Sequence, residues 1–466
     1  MVERVTPPVH PRAPSTSASV GARDETSFPR ILVVNCQAFN YASGPGITLS
    51  NLFRGWPADR LAAVHDDVLP TTDEVCRQYY LLGDAEARWT SAWARRAFLA
   101  RRQKNVSVTM PAPEVVSAPS AGWRARLLET IRQRVNPRDL LLRYEVSDAL
   151  RDWVKRFAPE VIYTQPANIC FMSLALRLQQ LTGARLAVHF MDDWPNRFRG
   201  WRGALWPQAR RTREWLRRIL AGADVRLAIS RRMAEEYQRR YGYAFEYFHN
   251  PASERTDPRP LSEVSHIRSP ARIVYSGVIT PRNQLAALRT LCRSVERLNR
   301  TGCPARLHIY TQPGYRALFA AKMASPAVVF EEYVSDQARI AEVYRAADLL
   351  VIPLSFTRAA FRFTALSMPT KTTSYMASGT PILVYAPRQT ALADDALREG
   401  WGLVVGERSM EALTDGLRRA LTDKELRRNL CERALRVVTS NHDPERVRQR
   451  FRALLRQAAA AKGDGR

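Results

Sequence analysis

Short, almost uninterrupted apolar runs recur along the chain, each followed by an amphipathic stretch of helical period, and no other feature limits the fold as much. Strands buried on both faces read as continuous hydrophobic runs, whereas half-exposed strands alternate. Ile31–Asn35, Leu61–His65, Val161–Thr164, Leu186–Phe190, Val225–Ile229 and Phe245–His249 form one series. Ile273–Ser276, Leu307–Tyr310, Val328–Phe330, Leu349–Ile352, Ile382–Tyr385 and Leu403–Val405 form a second. Alternation of this kind builds parallel sheets covered on both faces by helices. A chain of 466 residues also exceeds what one hydrophobic core supports. The expected fold class is α/β, with two doubly wound, Rossmann-like domains facing each other across a cleft and ligands at the carboxyl ends of their strands.

Between the two series, Asn250–Pro270 carries Pro251, Pro258, Pro260 and Pro270 among polar residues and reads as the joint. The expected division is a polar tail over 1–29, a first domain over 30–250, a linker over 251–270, a second domain over 271–440, and a helix with tail over 441–466. The stretch Met1 to Arg30 is rich in Pro, Ser and Thr and lacks a signal-type apolar core, so disorder is expected there. Residues from about Ala92 to Asn136 contain no convincing strand and include Pro111, Pro113 and Pro119, which suggests an insertion in the first domain.

Composition narrows the setting more than the function. The formal charge of +26 suits a polyanionic or phosphate-bearing partner. Almost all of it is Arg, since Lys occurs only at Lys104, Lys155, Lys322, Lys371, Lys424 and Lys462. The charge is diffuse and no nucleic-acid-binding module accompanies it. The six cysteines are scattered without a Cys-x-x-Cys pair, as in a reducing compartment, and no run approaches the ~18 apolar residues of a spanning helix. The expected location is the cytoplasm, with peripheral contact at the inner face of the cell membrane.

Candidate chemistry sits after strands. The first strand leads into Asn40-Tyr41-Ala42-Ser43-Gly44-Pro45-Gly46-Ile47-Thr48. The glycines of this turn permit close backbone approach, and the helix after it has free amides that can face an anion or a sugar. No Gly-x-Gly-x-x-Gly or Gly-Lys-Ser/Thr segment appears, which argues against dinucleotide oxidoreductases and P-loop enzymes. In the second half, Ser276-Gly277-Val278 follows the first strand. Later, Ser367-Met368-Pro369-Thr370-Lys371-Thr372-Thr373-Ser374 opens a short helix that ends near Gly379, with Ser367 read as its cap. Free amides and the Lys371 ammonium together would suit a diphosphate. In the first half, the strand Leu186–Phe190 leads into Met191-Asp192-Asp193-Trp194-Pro195. His189 and Asp192 are candidates to bond a sugar hydroxyl, and an ionised Asp192 would serve as base in an inverting reaction. Without a further spaced Asp/Glu/His cluster, no metal is expected.

Taken together in order and spacing, several of these pieces resemble group-one glycosyltransferases. Ala228-Ile229-Ser230 with Met233-Ala234, Tyr241-Gly242 and His249-Asn250-Pro251 is similar to the end of the first lobe in that family. Val334-Ser335, Tyr344, Ala347-Asp348, Pro353, the Pro-Thr-Lys helix and Gly379-Thr380-Pro381 are similar to the second lobe. The resemblance spans about Pro29 to Asn441. It implies a GT-B fold, a nucleotide-diphosphate sugar held mainly by the second lobe, a glycan or lipid-linked acceptor held mainly by the first, and anomeric retention. No further cofactor is implied. On this reading Gly277, Arg282, Ser367, Thr370, Lys371 and Ser374 bind the donor, Gly44, Gly46 and Thr48 line the acceptor side, and Asp192, His189 and Lys371 are the catalytic candidates. Many relatives carry a pair of glutamates around the donor helix, where this chain has Leu366 and Ser374. Many also have Arg and Lys in the first turn of the second lobe, where it has Val278 and Asn283. Phosphate neutralisation then falls on Lys371 and Arg282.

A basic, Trp-rich stretch from Arg197 to Leu220 segregates Trp215, Leu216, Ile219 and Leu220 from most of its arginines, which suits either a covering helix or attachment to anionic lipid. Two further readings stay open: a catalytically weakened binding or partner subunit of the same fold, and a nucleotide-sugar epimerase.

Overall fold

The computed structural model describes residues 28–41, 43–67, 69–90, 139, 141–198, 207–252 and 257–461. The expected insertion over 92–136, most of the expected tail, and the middle of the Arg/Trp stretch lie outside the described residues. Phe28 and Pro29 are part of the fold: Phe28 packs edge-on against Trp56 at 5.2 Å, and Trp56 Nε1 donates to the Pro29 carbonyl.

Two parallel sheets organise the chain. The first comprises β1 (Ile31–Val34), β2 (Leu61–His65), β3 (Gln78–Leu81), β6 (Val161–Thr164), β7 (Arg185–Phe190), β8 (Val225–Ala228) and β9 (Glu246–Tyr247), in the order β3-β2-β1-β6-β7-β8-β9. A small antiparallel pair, β4 (Ala87–Trp89) and β5 (Leu142–Tyr144), stands beside it. The second sheet contains β10 (Ala271–Ser276), β11 (Ala305–Tyr310), β12 (Val328–Glu331), β13 (Leu349–Pro353), β14 (Ile382–Tyr385) and β15 (Leu403–Val405), in the order β12-β11-β10-β13-β14-β15. Chain order reverses beside β1 in one sheet and beside β10 in the other, so each domain has its switch point where the first βα turn lies. The expected strands are present in both sheets; β3, β4 and β5 were not anticipated.

Helices α1 (Gly44–Phe53), α2 (Asp148–Phe157), α3 (Ile169–Thr182), α4 (Pro207–Gly222) and α5 (Arg231–Tyr241) belong to the first lobe. The second lobe carries α6 (Leu285–Arg300), α7 (Pro313–Phe319), α8 (Gln337–Arg345), α9 (Arg358–Thr364), α10 (Lys371–Ala377), α11 (Ala391–Glu399), α12 (Met410–Thr422) and α13 (Lys424–Asn441). Local sequence sets their ends. Ser230 accepts a hydrogen bond from Met233 N at the start of α5, and Gly242 closes that helix at φ +77. In α4 the apolar residues Leu216, Ile219 and Leu220 are buried, as their spacing predicts.

The last helix, α14 (Pro444–Ala460), crosses back to the first lobe. Asp443 caps it, and its stripe of Val447, Phe451, Leu455 and Ala458 docks on the first sheet. Phe451 meets Phe53, Tyr163 and Phe248 with ring centroids 5.1, 5.9 and 5.6 Å apart. Burying one such aromatic contributes about 3 kcal/mol or more. The chain therefore passes between lobes twice, near His249–Pro251 and near Asn441–Asp443, and the two passages touch through Ala252 N and the His442 carbonyl. The described part of the expected linker is not loose. Arg259 is buried and donates to the carbonyls of Ala347, Glu263 and His266, which ties this segment to the second lobe. Gly379, at φ +70, lies so close to Arg259 that an added methyl would sit 2.9 Å from its backbone N.

Candidate active site

The cleft is built by the turns at the carboxyl edges of the two sheets. After β1, the Asn40 side chain accepts from Ser43 N and Ser43 Oγ, and Ser43 in turn accepts from Gly46 N, which shapes the amino end of α1. An added methyl on Gly46 would meet Asn40 Oδ1 at 2.4 Å, so the turn admits only glycine there. A methyl on Gly44 would lie 3.5 Å from Thr370 Oγ1 of the other lobe. Gly44 and Thr370 thus face each other across the cleft. Gly46 and Thr48 do not: Gly46 packs on Asn40, and the Thr48 hydroxyl donates to the Gly44 carbonyl within α1. Their expected place on the acceptor wall is corrected to a role in forming the turn.

After β10, Gly277 adopts φ +134, a conformation that a side chain rarely tolerates. Lys371, the first residue of α10, reaches into this turn. Its ammonium donates to the Ser276 carbonyl and lies 4.1 Å over the Tyr275 ring. Three tyrosines brace the turn: Tyr375 Oη accepts from Ser276 N at 2.9 Å, Tyr344 Oη donates to Ser276 Oγ at 3.1 Å, and Tyr275 Oη donates to the Val278 carbonyl at 2.5 Å. Burial, with no carboxylate to offset it, pulls the Lys371 ammonium down to about 7. The structure turns the charged end of this first-turn lysine inward, onto the Gly277 turn. Val278 is 42% exposed, and Arg282 stands four residues farther along the same loop. Ser374, on α10, is part-buried.

Gly277→Ala follows as a test of this turn. The new methyl would lie 2.5 Å from Lys371 Nζ and the φ would be strained, so donor kcat/KM should fall about tenfold or more through displacement of the lysine. A variant with unchanged donor kinetics would mean that the turn does not position the lysine.

The two carboxylates after β7 have separate fates. Asp192 accepts from Ser367 Oγ at 2.8 Å across the lobes; burial raises its pKa and the Ser367 hydrogen bond opposes the rise. Asp193 turns the other way, onto Tyr237 and Arg240 of α5. Ser367 is therefore not the cap of the donor helix, which starts four residues later, behind Thr370. The seam is extended by Ser230 Oγ donating to the Leu366 carbonyl and by Asn196 Nδ2 donating to the Arg362 carbonyl. Leu366 itself packs into the first-lobe core.

His189 stands apart from this group. Its ring is fully buried in β7, Nδ1 bonds Tyr163 Oη at 2.7 Å, and burial drops its pKa to about 3. It is a neutral core histidine, and its expected contact with sugar is replaced by a packing role. Sequence reasoning missed the bracing by Tyr275, Tyr344 and Tyr375, because three aromatics on separate elements carry no local signal. The role of Asn40 was also missed, although an Asn ahead of a Ser at a helix start is a turn signal that could have found it.

Residues 270–423 match the family described as Glycosyl transferases group 1, and residues 88–252 match Glycosyltransferase Family 4. The chain belongs to the group-one glycosyltransferases. The first match takes in β10 to β15 with Gly277 and Lys371, and the second takes in Asp192 and the whole of α5. No curated protein matches the chain. Among solved structures, sucrose-phosphate synthase from Thermosynechococcus elongatus superposes with a TM-score of 0.58 at 16% identity, covering 93% of this chain and 100% of that one. The α,α-trehalose-phosphate synthase (UDP-forming) of Burkholderia vietnamiensis gives 0.56 at 13% identity, covering 94% and 99%. Anabaena HepE, crystallised with UDP and glucose, gives 0.54 at 14% identity, covering 92% and 100%. At such identities the likeness is one of fold, and the fold is GT-B. Among the described residues, no helix is long and apolar enough to cross a membrane.

Proposed function

We propose that this glycosyltransferase moves a hexosyl group from a nucleotide-diphosphate sugar to a glycan or lipid-linked acceptor, with anomeric retention, in the assembly of a surface polysaccharide or glycolipid. The observation that carries the reading is Lys371 Nζ held at the Gly277 turn, with Thr370 beside it facing Gly44 across the cleft. A diphosphate at that turn would draw the ammonium off the Ser276 carbonyl and onto its own oxygens, with Arg282 as the second cation. The acceptor would enter from the α1 side. Basic residues of α4 on the face away from the core, among them Arg213 and Arg217, would meet anionic lipid where a lipid-linked acceptor is presented.

The experiment is turnover of a panel of nucleotide sugars, read as released nucleoside diphosphate. UDP-glucose, with which HepE has been crystallised, is the first donor to try. Release with no donor, alongside measurable binding of nucleoside diphosphates, would favour the partner-subunit reading. That alternative is motivated by Leu366 and Ser374, neither of which supplies a carboxylate at the donor helix.

Retention makes a separate prediction at Asp192. Its carboxylate is occupied by Ser367, and a retaining reaction does not require it as general base, so Asp192→Asn should keep transfer within about tenfold of wild type. Loss of 10²–10⁴-fold, the range of a general base, would point to inversion instead. The configuration of the product's new linkage, read by NMR, decides the same question directly.

A further inference from the structure

A second cavity lies beside the cleft and is not part of it. Its volume is about 210 Å³, and it opens between the amino end of α5 in the first lobe, α11 in the second, and the start of α14. Ser230 and Met368 belong to its lining, whereas Gly277, Arg282 and Lys371 do not. Its floor is the pair of passages between the lobes, where the His249 and His442 rings meet edge-on at 5.2 Å. Whatever occupies this space touches both lobes and both connections at once.

The lining is cationic and incompletely paired. Arg231, Arg232, Arg398, Arg446 and Arg450 face Asp394, Asp395 and Glu399, five positive charges against three negative. Arg398 is consumed by Asp395 and Glu399, and Arg450 by Glu246. Arg231 Nη1 is held by Glu235 at 2.6 Å, but its Nε is buried without a partner, and Asp394 stands 3.7 Å from both Arg231 and Arg232, outside hydrogen-bond range. Among the described residues no hydrogen bond or ion pair engages the Arg446 guanidinium. His249 is only 7% exposed, with its ring set against the Pro369 carbonyl and at least one ring nitrogen without a hydrogen-bond partner. Burial and the facing His442 hold it well below the usual histidine range, with the Pro369 carbonyl as the opposing influence. A buried imidazole with an unsatisfied nitrogen is costly unless a ligand completes it.

Unsaturated guanidinium donors converging from separate elements suit an anion with several acceptor oxygens, and phosphate matches them best. The volume leaves room for a small organic group beside the phosphate. We propose that this hinge cavity is a second, non-catalytic site that binds a small phosphate monoester of the sugar-phosphate class. Because its walls come from both lobes, occupancy favours the arrangement in which the lobes are together. The inference does not depend on the donor proposed above.

The test is thermal melting with glucose 6-phosphate, inorganic phosphate or plain glucose at about 10 mM, at matched ionic strength. It is run on wild type, on Lys371→Met, and on the double variant Arg232→Ala with Arg446→Ala. Both arginines sit at the cavity rim, so the double variant should fold; Arg446→Ala alone is the reserve. Glucose 6-phosphate should raise the melting temperature of wild type and Lys371→Met by about 2 °C or more. It should raise that of the double variant by less than half as much, with glucose inert and inorganic phosphate weaker. Three results overturn the proposal: no rise with glucose 6-phosphate, an equal rise with glucose or inorganic phosphate, or a rise kept by the double variant and lost in Lys371→Met, which would place the ligand in the cleft.

Discussion

Lys371→Met is expected to lose about 10²–10³-fold in sugar transfer while melting no lower than wild type. As the bond to the donor sugar breaks, negative charge grows on the leaving diphosphate, so a cation already held at that place stabilises the transition state more than the ground state. With Val278 and Asn283 at nearby loop positions, few cations share that work. Stability should move the other way. The folded protein holds the ammonium among Tyr275, Ser276 and Gly277 without an acidic partner, and its pKa falls from 10.5 to about 7. A lysine whose folded pKa lies below its unfolded one opposes folding most below pH 7. The penalty fades as pH rises through the window between 7 and 10.5. Methionine removes it, so the variant should melt about 2–4 °C above wild type near pH 6, a difference that closes toward pH 10. The same pKa gives wild-type kcat/KM for the donor a descending limb above about pH 7, as the amine loses the charge that meets the diphosphate. The variant should lack that limb. A folded Lys371→Met protein with undiminished transfer would mean that the diphosphate is held elsewhere, with Arg282 the next residue to examine.

The parallel strands were legible because burial on both faces leaves an apolar run with no competing pattern. β3 escaped because Gln78–Leu81 is a part-exposed edge strand whose residues do not form such a run. α14 reads in sequence as an ordinary amphipathic helix. Nothing in its period says that the stripe through Phe451 docks on the first lobe instead of the second, because that choice depends on Phe53, Tyr163 and Phe248, all far away in sequence. In the site, the glycine turns and the lysine could be read from residue type and position after a strand. Their environment could not. Ser367 has the composition of a helix cap, yet its hydroxyl is taken by Asp192 from the other lobe, and the Lys371 ammonium is desolvated by a turn nearly a hundred residues earlier in the chain.

Asp193 should prove the more costly of the paired acids to remove from the fold, although Asp192 is the one in the cleft. Its side chain is 0% exposed and accepts from Arg240 Nη1 at 2.7 Å, Arg240 Nη2 at 3.2 Å and Tyr237 Oη at 3.1 Å, while Arg240 is itself only 11% exposed. Breaking a buried pair from one side typically costs about 3–5 kcal/mol, because the surviving charge and its donors are left in a poor solvent. Glu236 remains on Arg240 at 2.6 Å, which places Asp193→Ala toward the lower end, about 3 kcal/mol. The first lobe should then melt about 6–12 °C earlier. Activity at a permissive temperature should also decline, because the segment from Met191 to Asn196 is anchored to α5 through this carboxylate and carries the Asp192–Ser367 and Asn196–Arg362 contacts of the seam. The pairing is separated from mere loss of volume by a second pair of variants. Asp193→Leu combined with Arg240→Met replaces both charges with apolar groups and should recover much of the loss, whereas Arg240→Met alone strands Asp193 and should be at least as harmful as Asp193→Ala. An Asp193→Ala protein that melts within about 1 °C of wild type would show that the ion pair contributes nothing net and that α5 is held by its packing on Tyr237 and Phe190 alone.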